Sequence, residues 1–552
     1  IVPDGNSDID EDKNLMGDPL HSRPAIVIYG GSAGSPDATV YISTNEGMLH
    51  ALDSETGVER WAWMPEQLLN RMPFLTDFSQ ETPLRDRTAS SFYGLDGTIR
   101  VLRIDKDQDG IIESGDGDRV YLFLNMRRGG SSIYGLNVTN DESPQLMWRY
   151  DLPDGAQSWS APTIARVNIS GANYDSNNDD PDQKYVLILG GGFDPSNDAV
   201  GFSANDRGNR VIMLDAIGGQ ELWRAADAGA DPVGTVDLDM GSRMRHSIVG
   251  DVRVIDLTGD GFADRMYAAD LGGQLWRFDI KNGQTVGNLV EGGLFASVGG
   301  EVSGNPDRRF YYAPDVALVS RDGATWLNIG IGTGDRENPI TDGLDFPPTA
   351  NTFYGLRDYN IYTIVDSADY RDDCSTITTR PCHEIIEDDG TRLVDVTAFQ
   401  GDPAAPVPVP TGSAGWKLDM VEASGEKVLA EARTFDNKIF FTSYSPTLIG
   451  NDGTPCGSQV GVNRLYVVSA FDASPVNNFD GDIANETEAD RSRALAQGSI
   501  APEVVFVFPT PEAGCTTRNC APPPQCLVGL ESCGSGFLNP PVPVFWREVG
   551  VN

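Results

Sequence analysis

The chain has 552 residues, 81 of them acidic and 41 basic, for a formal net charge of −40. A surface this negative repels phosphate and argues against a nucleic acid or an anionic membrane as partner. With 39% hydrophobic and 9% aromatic residues the chain still has material for a large core, which argues against disorder, and no run approaches the ~20 apolar residues of a transmembrane segment.

The chain opens at Ile1, which reads as a processed or truncated sequence with any signal peptide or upstream domain out of view. Residues 1–16 hold Asp8, Asp10 and Asp12 without the turn glycine of a metal loop and read as an acidic linker. From residue 17 a repeat sets in. The apolar strand Leu49–Asp53 has echoes at Ile133–Asn137, Val211–Asp215 and Leu275–Asp279, with weaker copies at Phe353–Arg357 and Leu465–Ser469. Each follows another strand across a glycine-containing turn, as with Val40–Thr44 and Tyr185–Leu189. Several lead through a further turn to a tryptophan strand, at Trp61, Trp148 or Trp223. One more strand precedes each unit, at 23–29, 98–104, 161–167, 248–257, 311–319 and 427–434.

Four strands repeated six times predict an all-β fold, a β-propeller of four-stranded blades. A blade cannot cover both of its faces alone and is buried only between neighbours. The copies lie further apart than the roughly 40–50 residues of a plain blade, so long loops are inserted in most of them. A seventh blade is expected from Val504–Phe508 and Val544–Glu548. The propeller then covers 17–510, and the Cys/Pro-rich segment 511–552 helps to close it.

Two connections between a blade's first and second strands carry alternating carboxylates. Calcium takes six to eight oxygens, and a loop with acids at positions 1, 3 and 5, a turn glycine at 6 and a backbone carbonyl at 7 supplies most of them. The first such loop places Asp105, Asp107 and Asp109 at positions 1, 3 and 5, Gly110 at 6, the Ile111 carbonyl at 7 and Ile112 at 8 as an anchor. Asp116 at position 12 or Glu113 at position 9 would close it. The second places Asp256, Asp260 and Asp264 at positions 1, 5 and 9, with Gly261 at the turn and the Phe262 carbonyl at 7. Thr258 at position 3 offers only a neutral ligand, which weakens that site. Asp175, Asn177, Asp179 and Asp182 occupy the same connection in the intervening blade, but Asp180 replaces the turn glycine. With strands on both sides, calcium is expected to pin these loops rather than to drive a helix movement.

The seven cysteines, Cys374, Cys382, Cys456, Cys515, Cys520, Cys526 and Cys533, include no C-x-x-C pair and read as disulfides of an oxidising compartment, with Cys374–Cys382 as a local loop. Catalytic readings are thin. His21 and His50 read as structural residues on repeat strands, His246 beside Ser247 lacks a third member, and Gly190–Gly192 is a strand-end turn with no lysine or helix after it.

The segments Gly17–Pro24 and Thr44–Ala51, the Asp256–Asp264 loop with Tyr267–Asp279 after it, and Gly332–Arg336 resemble the C-terminal propeller of the PilY family of type IV pilus biogenesis factors and tip adhesins. The resemblance covers roughly residues 17–475. It implies a modified seven-bladed propeller that binds calcium in the second loop, through Asp256, Asp260, Asp264 and the Phe262 carbonyl. Thr258 stands where the family usually has Asn or Asp. It further implies a role in pilus extension and retraction, twitching motility and surface attachment, with minor pilins at the pilus tip and a surface or host ligand as partners. The expected location is the bacterial cell surface, reached through the periplasm. The Asp105 loop stands on its own spacing.

Two rivals have different consequences. A quinoprotein dehydrogenase also combines a Gly- and Trp-rich propeller with calcium, but commonly stacks its quinone on a disulfide of adjacent cysteines, and no Cys-Cys pair occurs here. An integrin-α-like adhesive propeller would change the partner and keep the calcium. The expectation is therefore a binding module and not an enzyme.

Overall fold

A computed structural model describes residues 16–32, 34–71, 93–171, 183–199, 203–231, 236–302, 305–339, 351–398, 407–446, 461–479, 487–509, 524–529 and 531–533. The chain divides into two compact units. One is built on residues up to Pro162 together with Ile217–Gly219, the other on Thr163–Ala216 and Gln220–Val549.

In the first unit β1 (Ala25–Ser32), β2 (Ser35–Ser43), β3 (Leu49–Asp53) and β4 (Glu59–Trp63) form one antiparallel sheet in chain order. A second sheet follows from β5 (Arg100–Ile104), β6 (Arg119–Asn125), β7 (Ser132–Asn137) and β8 (Gln145–Asp151).

The second unit repeats the pattern. Its first sheet has β9 (Thr163–Asn168), β10 (Gln183–Gly190), β11 (Arg210–Asp215) and β12 (Glu221–Ala226), with β13 (Leu238–Asp239) as a parallel edge. Next come β14 (Arg253–Ile255), β15 (Arg265–Ala269), β16 (Gln274–Ile280) and β17 (Val290–Ser297), then β18 (Asp315–Arg321), β19 (Ala324–Gly332) and β20 (Thr352–Asp358). The long connection after β20 holds β21 (Tyr370–Arg371) paired with β22 (His383–Glu384), and β23 (Ile386–Glu387), which lies parallel to β17. It continues through β24 (Leu393–Asp395) to β25 (Gly415–Asp419), and these two complete the sheet of β18–β20. β26 (Lys427–Val428) and β27 (Arg433–Phe435) both pair with β28 (Lys438–Ser445), which leads to β29 (Val462–Ser469) and β30 (Ser492–Ala494). The last sheet is β31 (Val504–Val507), β32 (Gln525–Val528) and β33 (Glu531–Ser532). These seven sheets are the blades of a β-propeller.

The repeat has a steric cause. Gly135 faces Trp148 across the β7–β8 pair, and a Cβ at Gly135 would meet the indole at 2.4 Å. Gly355 faces Trp416 across β20–β25, where a Cβ would meet the ring at 2.3 Å. Glycine leaves room for the indole to lie over the strand, and Phe123 and Phe353 stack on it at 5.9 and 6.0 Å. A register shift falls between the third and fourth strands in each of the first four blades, at Ala51/Leu52, Gly135/Leu136, Met213/Leu214 and Leu275/Trp276. This bulge adds twist to the outer edge of each blade.

The apolar faces are buried between consecutive blades. Tyr41, Leu49 and Ala51 meet Leu122, Leu124 and Leu136 in the first unit. In the second, Met213 and Trp223 meet Met266 and Phe278, and Phe353 and Trp416 meet Ile439 and Phe441. Trp223, Trp276, Trp326 and Trp416 are fully buried. At about 150–250 Å² each and ~25 cal/mol/Å², each contributes at most ~4–6 kcal/mol.

Several expectations meet the structure differently. The single strand expected at 427–434 is split into β26 and β27, because Leu429, Ala430 and Ala432 turn into the core between them. β32 and β33 come from the 511–552 segment, while Val544–Glu548 lies outside the described residues. His21 sits in the connection before β1, not on a strand. The Cys374–Cys382 disulfide forms as expected, and Cys526–Cys533 ties β32 to the residue after β33. Cys456, Cys515, Cys520, the acidic run at Asp8–Asp12 and the Asp175–Asp182 connection lie outside the described residues. Among the described residues no helix is long and apolar enough to cross a membrane.

Candidate metal centre

Both carboxylate loops join the first strand of a blade to its second, β5 to β6 and β14 to β15. Their sequences differ at most positions, yet their backbones follow one plan. The acid at position 1 folds back on the loop: Asp105 accepts from the N–H of Gln108 and Gly110, and Asp256 from the N–H of Gly259 and Gly261. These donors are positions 4 and 6 in both, and both positions are left-handed, with φ of 62° and 87° in the first loop and 75° and 87° in the second. Glycine at position 6 meets that demand without strain, which is why it recurs there. At position 5, Asp109 and Asp260 each accept from the N–H of position 7, Ile111 and Phe262.

Position 8 reaches outside the loop. The Ile112 N–H donates to the Tyr29 carbonyl of β1 at 2.8 Å, and the Ala263 N–H donates to the Arg166 carbonyl of β9 at 2.8 Å. Each loop is thereby fastened to the first strand of the preceding blade.

The loops differ in how they close. In the second, Asp264 directly precedes β15 and accepts from the N–H of Leu257 and Thr258, at positions 2 and 3. In the first, that place belongs to Asp118, which directly precedes β6, is buried, and accepts from the N–H of Lys106 at position 2 and of Glu113. The carboxylate that accepts the loop's own amides is thus Asp118, while Glu113 and Asp116 stand as the acids offered on the solvent side. Those two side chains stand together in solvent, and the neighbouring Asp116 raises the Glu113 pKa. Sequence spacing missed Asp118 because residues 113–117 make a detour before it. The shared pair Asp118-Arg119 and Asp264-Arg265 at the start of each second strand was the signal that could have found it.

Charge is gathered unequally. One oxygen from each of Asp105, Asp107 and Asp109 lies within 4.8 Å of the others, and no second cluster of three such groups occurs among the described residues. Asp256, Asp260 and Asp264 are therefore less tightly gathered, and the Thr258 hydroxyl turns to Asp256 at 3.4 Å. The Asp109 N–H bond lowers the Asp107 pKa, but desolvation and the charges of Asp109, Asp118 and Asp105 outweigh it and hold that carboxyl above its ordinary value. Burial does the same to Asp264. Three convergent carboxylates, all hard oxygen donors, suit calcium in the first loop, and the left-handed glycine cradle suits it in both. Each loop also faces an arginine: Arg103 pairs with Asp105 at 3.2 Å, and Arg166 stands over the Phe262 ring at 5.0 Å.

The histidines are held as structural groups. His50 lies between Glu46 and Glu59 at 2.9 and 2.7 Å, whereas His246 turns to Glu301 and Ser247 to the Arg207 carbonyl.

No protein-family model matches the chain. A type IV pilus biogenesis factor PilY1 homolog of Xylella fastidiosa is 25% identical over 453 residues, which cover 78% of this chain and 26% of that protein. The type IV pilus biogenesis factor PilY1 of Pseudomonas aeruginosa is 25% identical over 291 residues, 48% of this chain and 21% of the relative. The crystal structure of the P. aeruginosa PilY1 C-terminal domain superposes with a TM-score of 0.55 and 18% identity, over 90% of this chain and 92% of that one. These matches support a PilY1-family C-terminal β-propeller. The chain spans about a quarter of the length of the curated PilY1 relatives it matches.

Proposed function

We propose that this chain is the propeller module of an exported, surface-located type IV pilus biogenesis factor, and that it holds calcium in the Asp105 and Asp256 loops. The observation that carries the calcium reading is the common backbone plan of two loops with different sequences. Both present carboxylates at positions 1 and 5, both bend left-handed at positions 4 and 6, and both are fastened to the preceding blade through position 8. Bound there, a divalent ion would offset the repulsion among the loop carboxylates. Asp105, Asp107 and Asp109, with the Ile111 carbonyl and Glu113 or Asp116, would hold it in the first loop, and Asp256, Thr258, Asp260, the Phe262 carbonyl and Asp264 in the second. Asp118 and Asp264 would keep each loop closed from behind.

The pilus reading rests on the PilY1 likeness along most of the chain. The module acts by binding and not by catalysis, presenting loops to minor pilins at the pilus tip and to a surface or host ligand. Complementation tests both parts. In a bacterium lacking its PilY1-type factor, the full-length wild-type protein should restore surface pili and twitching. The double variant Asp109→Ala/Asp260→Ala should be exported at equal level and restore them poorly. Equal restoration would remove the calcium part, and no restoration by the wild type would remove the pilus part.

A further inference from the structure

The second loop is set against a residue that does not belong to its own blade. Arg166 lies on β9, and its carbonyl accepts the position-8 N–H of Ala263. Its guanidinium is held by two rings, with the carbon 5.0 Å from the centre of Phe262 and 5.6 Å from that of Tyr185. One of its terminal nitrogens lies 3.7 Å from where a Cβ would stand on Gly261. The cation is therefore lodged at positions 6 and 7, beside the turn whose amides are bound by Asp256 and Asp260. In the first loop the strand residue in this place is Tyr29, which is neutral and whose hydroxyl is bonded to Tyr41 and to the Val138 carbonyl. That loop's arginine, Arg103, belongs to the loop's own strand β5.

We propose that Arg166 sets the calcium affinity of the second loop, so that metal binding there is linked to the seam between the third and fourth blades. The inference rests on the reading of Asp256–Asp264 as a calcium loop. Two effects of Arg166 oppose each other. Its stacking on Phe262 helps to place the position-7 carbonyl, and a cation–π contact at a partly exposed site is a weak anchor. Its positive charge repels a divalent cation at short range, and that term is doubled by the ion's charge. Repulsion therefore wins, and Arg166 holds the loop at weak affinity. By linkage, whatever draws the Arg166 guanidinium away from Phe262 while its backbone carbonyl keeps the Ala263 N–H strengthens calcium binding, and calcium binding favours that displacement.

The test uses the full chain with Asp109→Ala to silence the first loop, and titrates calcium alone by calorimetry. Arg166→Gln should tighten binding about three- to tenfold at low ionic strength, and Arg166→Lys should stay within about twofold of the parent. The gap between Arg166→Gln and the parent should narrow as salt is raised from about 0.01 M to about 0.5 M, because screening removes a charge effect and leaves a packing effect in place. Arg166→Met, which keeps an aliphatic stack on Phe262 without the charge, should behave as Arg166→Gln and guards against a folding defect in either. Binding that is unchanged or weaker in both neutral variants, while Asp260→Ala still abolishes it, would overturn the role of Arg166 and leave the calcium loop standing. If no variant shows Asp260-dependent binding at millimolar calcium, the calcium loop falls, and this proposal falls with it.

Discussion

The loop that starts at Asp105 gathers three carboxylates within 4.8 Å, while the loop that starts at Asp256 has a threonine at position 3 and no such cluster. Their backbones nevertheless bend at the same two positions and donate from the same position to the preceding blade. The comparison separates two requirements. Folding of the loop depends on the acid at position 1, the left-handed residues at 4 and 6, and a closing aspartate before the second strand. Charge at position 3 is free to vary without altering that backbone, and on the proposed calcium reading it would set how strongly a cation is drawn in.

The closing aspartates give the largest expected effect. Asp118→Ala and Asp264→Ala each leave two backbone N–H groups without their acceptor and should cost about 2–3 kcal/mol. Asp116→Ala removes only an exposed group and should stay within about 0.5 kcal/mol. Denaturant unfolding in chelator compares the three. Equal costs for Asp116→Ala and Asp118→Ala would break the equivalence of Asp118 and Asp264.

Thr258→Asp should bring the second loop toward the first. One more carboxylate among the ligands should tighten calcium binding there about tenfold, and titration in the Asp109→Ala background reads it. An unchanged affinity would mean that position 3 faces away from the metal.

A smaller effect separates the units that host the loops. Burial lowers the His50 pKa, but the bonds from Glu46 and Glu59 outweigh it, and the net shift is upward. Stability from that group is complete below the ordinary histidine pKa of about 6.5 and is lost as pH rises through the raised value. In the second unit, burial lowers the His383 pKa to about 4. Between about 4 and 6.5 the unfolded chain binds more protons there, so stability rises with pH across that window and is complete above it. Hydrogen exchange at alkaline pH should therefore loosen β3 before β17, and His50→Gln should abolish that alkaline loss. A loss that persists in His50→Gln would place its origin elsewhere.

Much of this fold is legible in the sequence because its strongest signals are local. Tyr134-Gly135-Leu136 and Trp148 sit on neighbouring strands, and the glycine exists to seat the indole, so the motif repeats wherever the contact repeats. The Asp105 and Asp256 loops are contiguous and were readable for the same reason. Asp118 was not, because its role depends on adjoining β6 and not on its count from Asp105. Arg166 was not, because its place beside Phe262 arises from two blades meeting. Nor does strand alternation foretell that Arg265, Arg277, Asp279 and Asp358 are all buried. They form a closed set of ion pairs, with Arg265–Asp279 at 2.6 Å, Arg277–Asp279 at 2.7 Å and Arg277–Asp358 at 2.9 Å. Such charges persist in a core only because each finds a partner across the sequence.

Two loops of one backbone plan are proposed to bind calcium unequally. Calorimetric titration of the full chain with calcium tests this most directly, alongside Asp109→Ala and Asp260→Ala. Two binding steps are expected, with the tighter lost in Asp109→Ala and the weaker in Asp260→Ala. No binding heat and no calcium-dependent shift in Tm in the wild-type chain would contradict this.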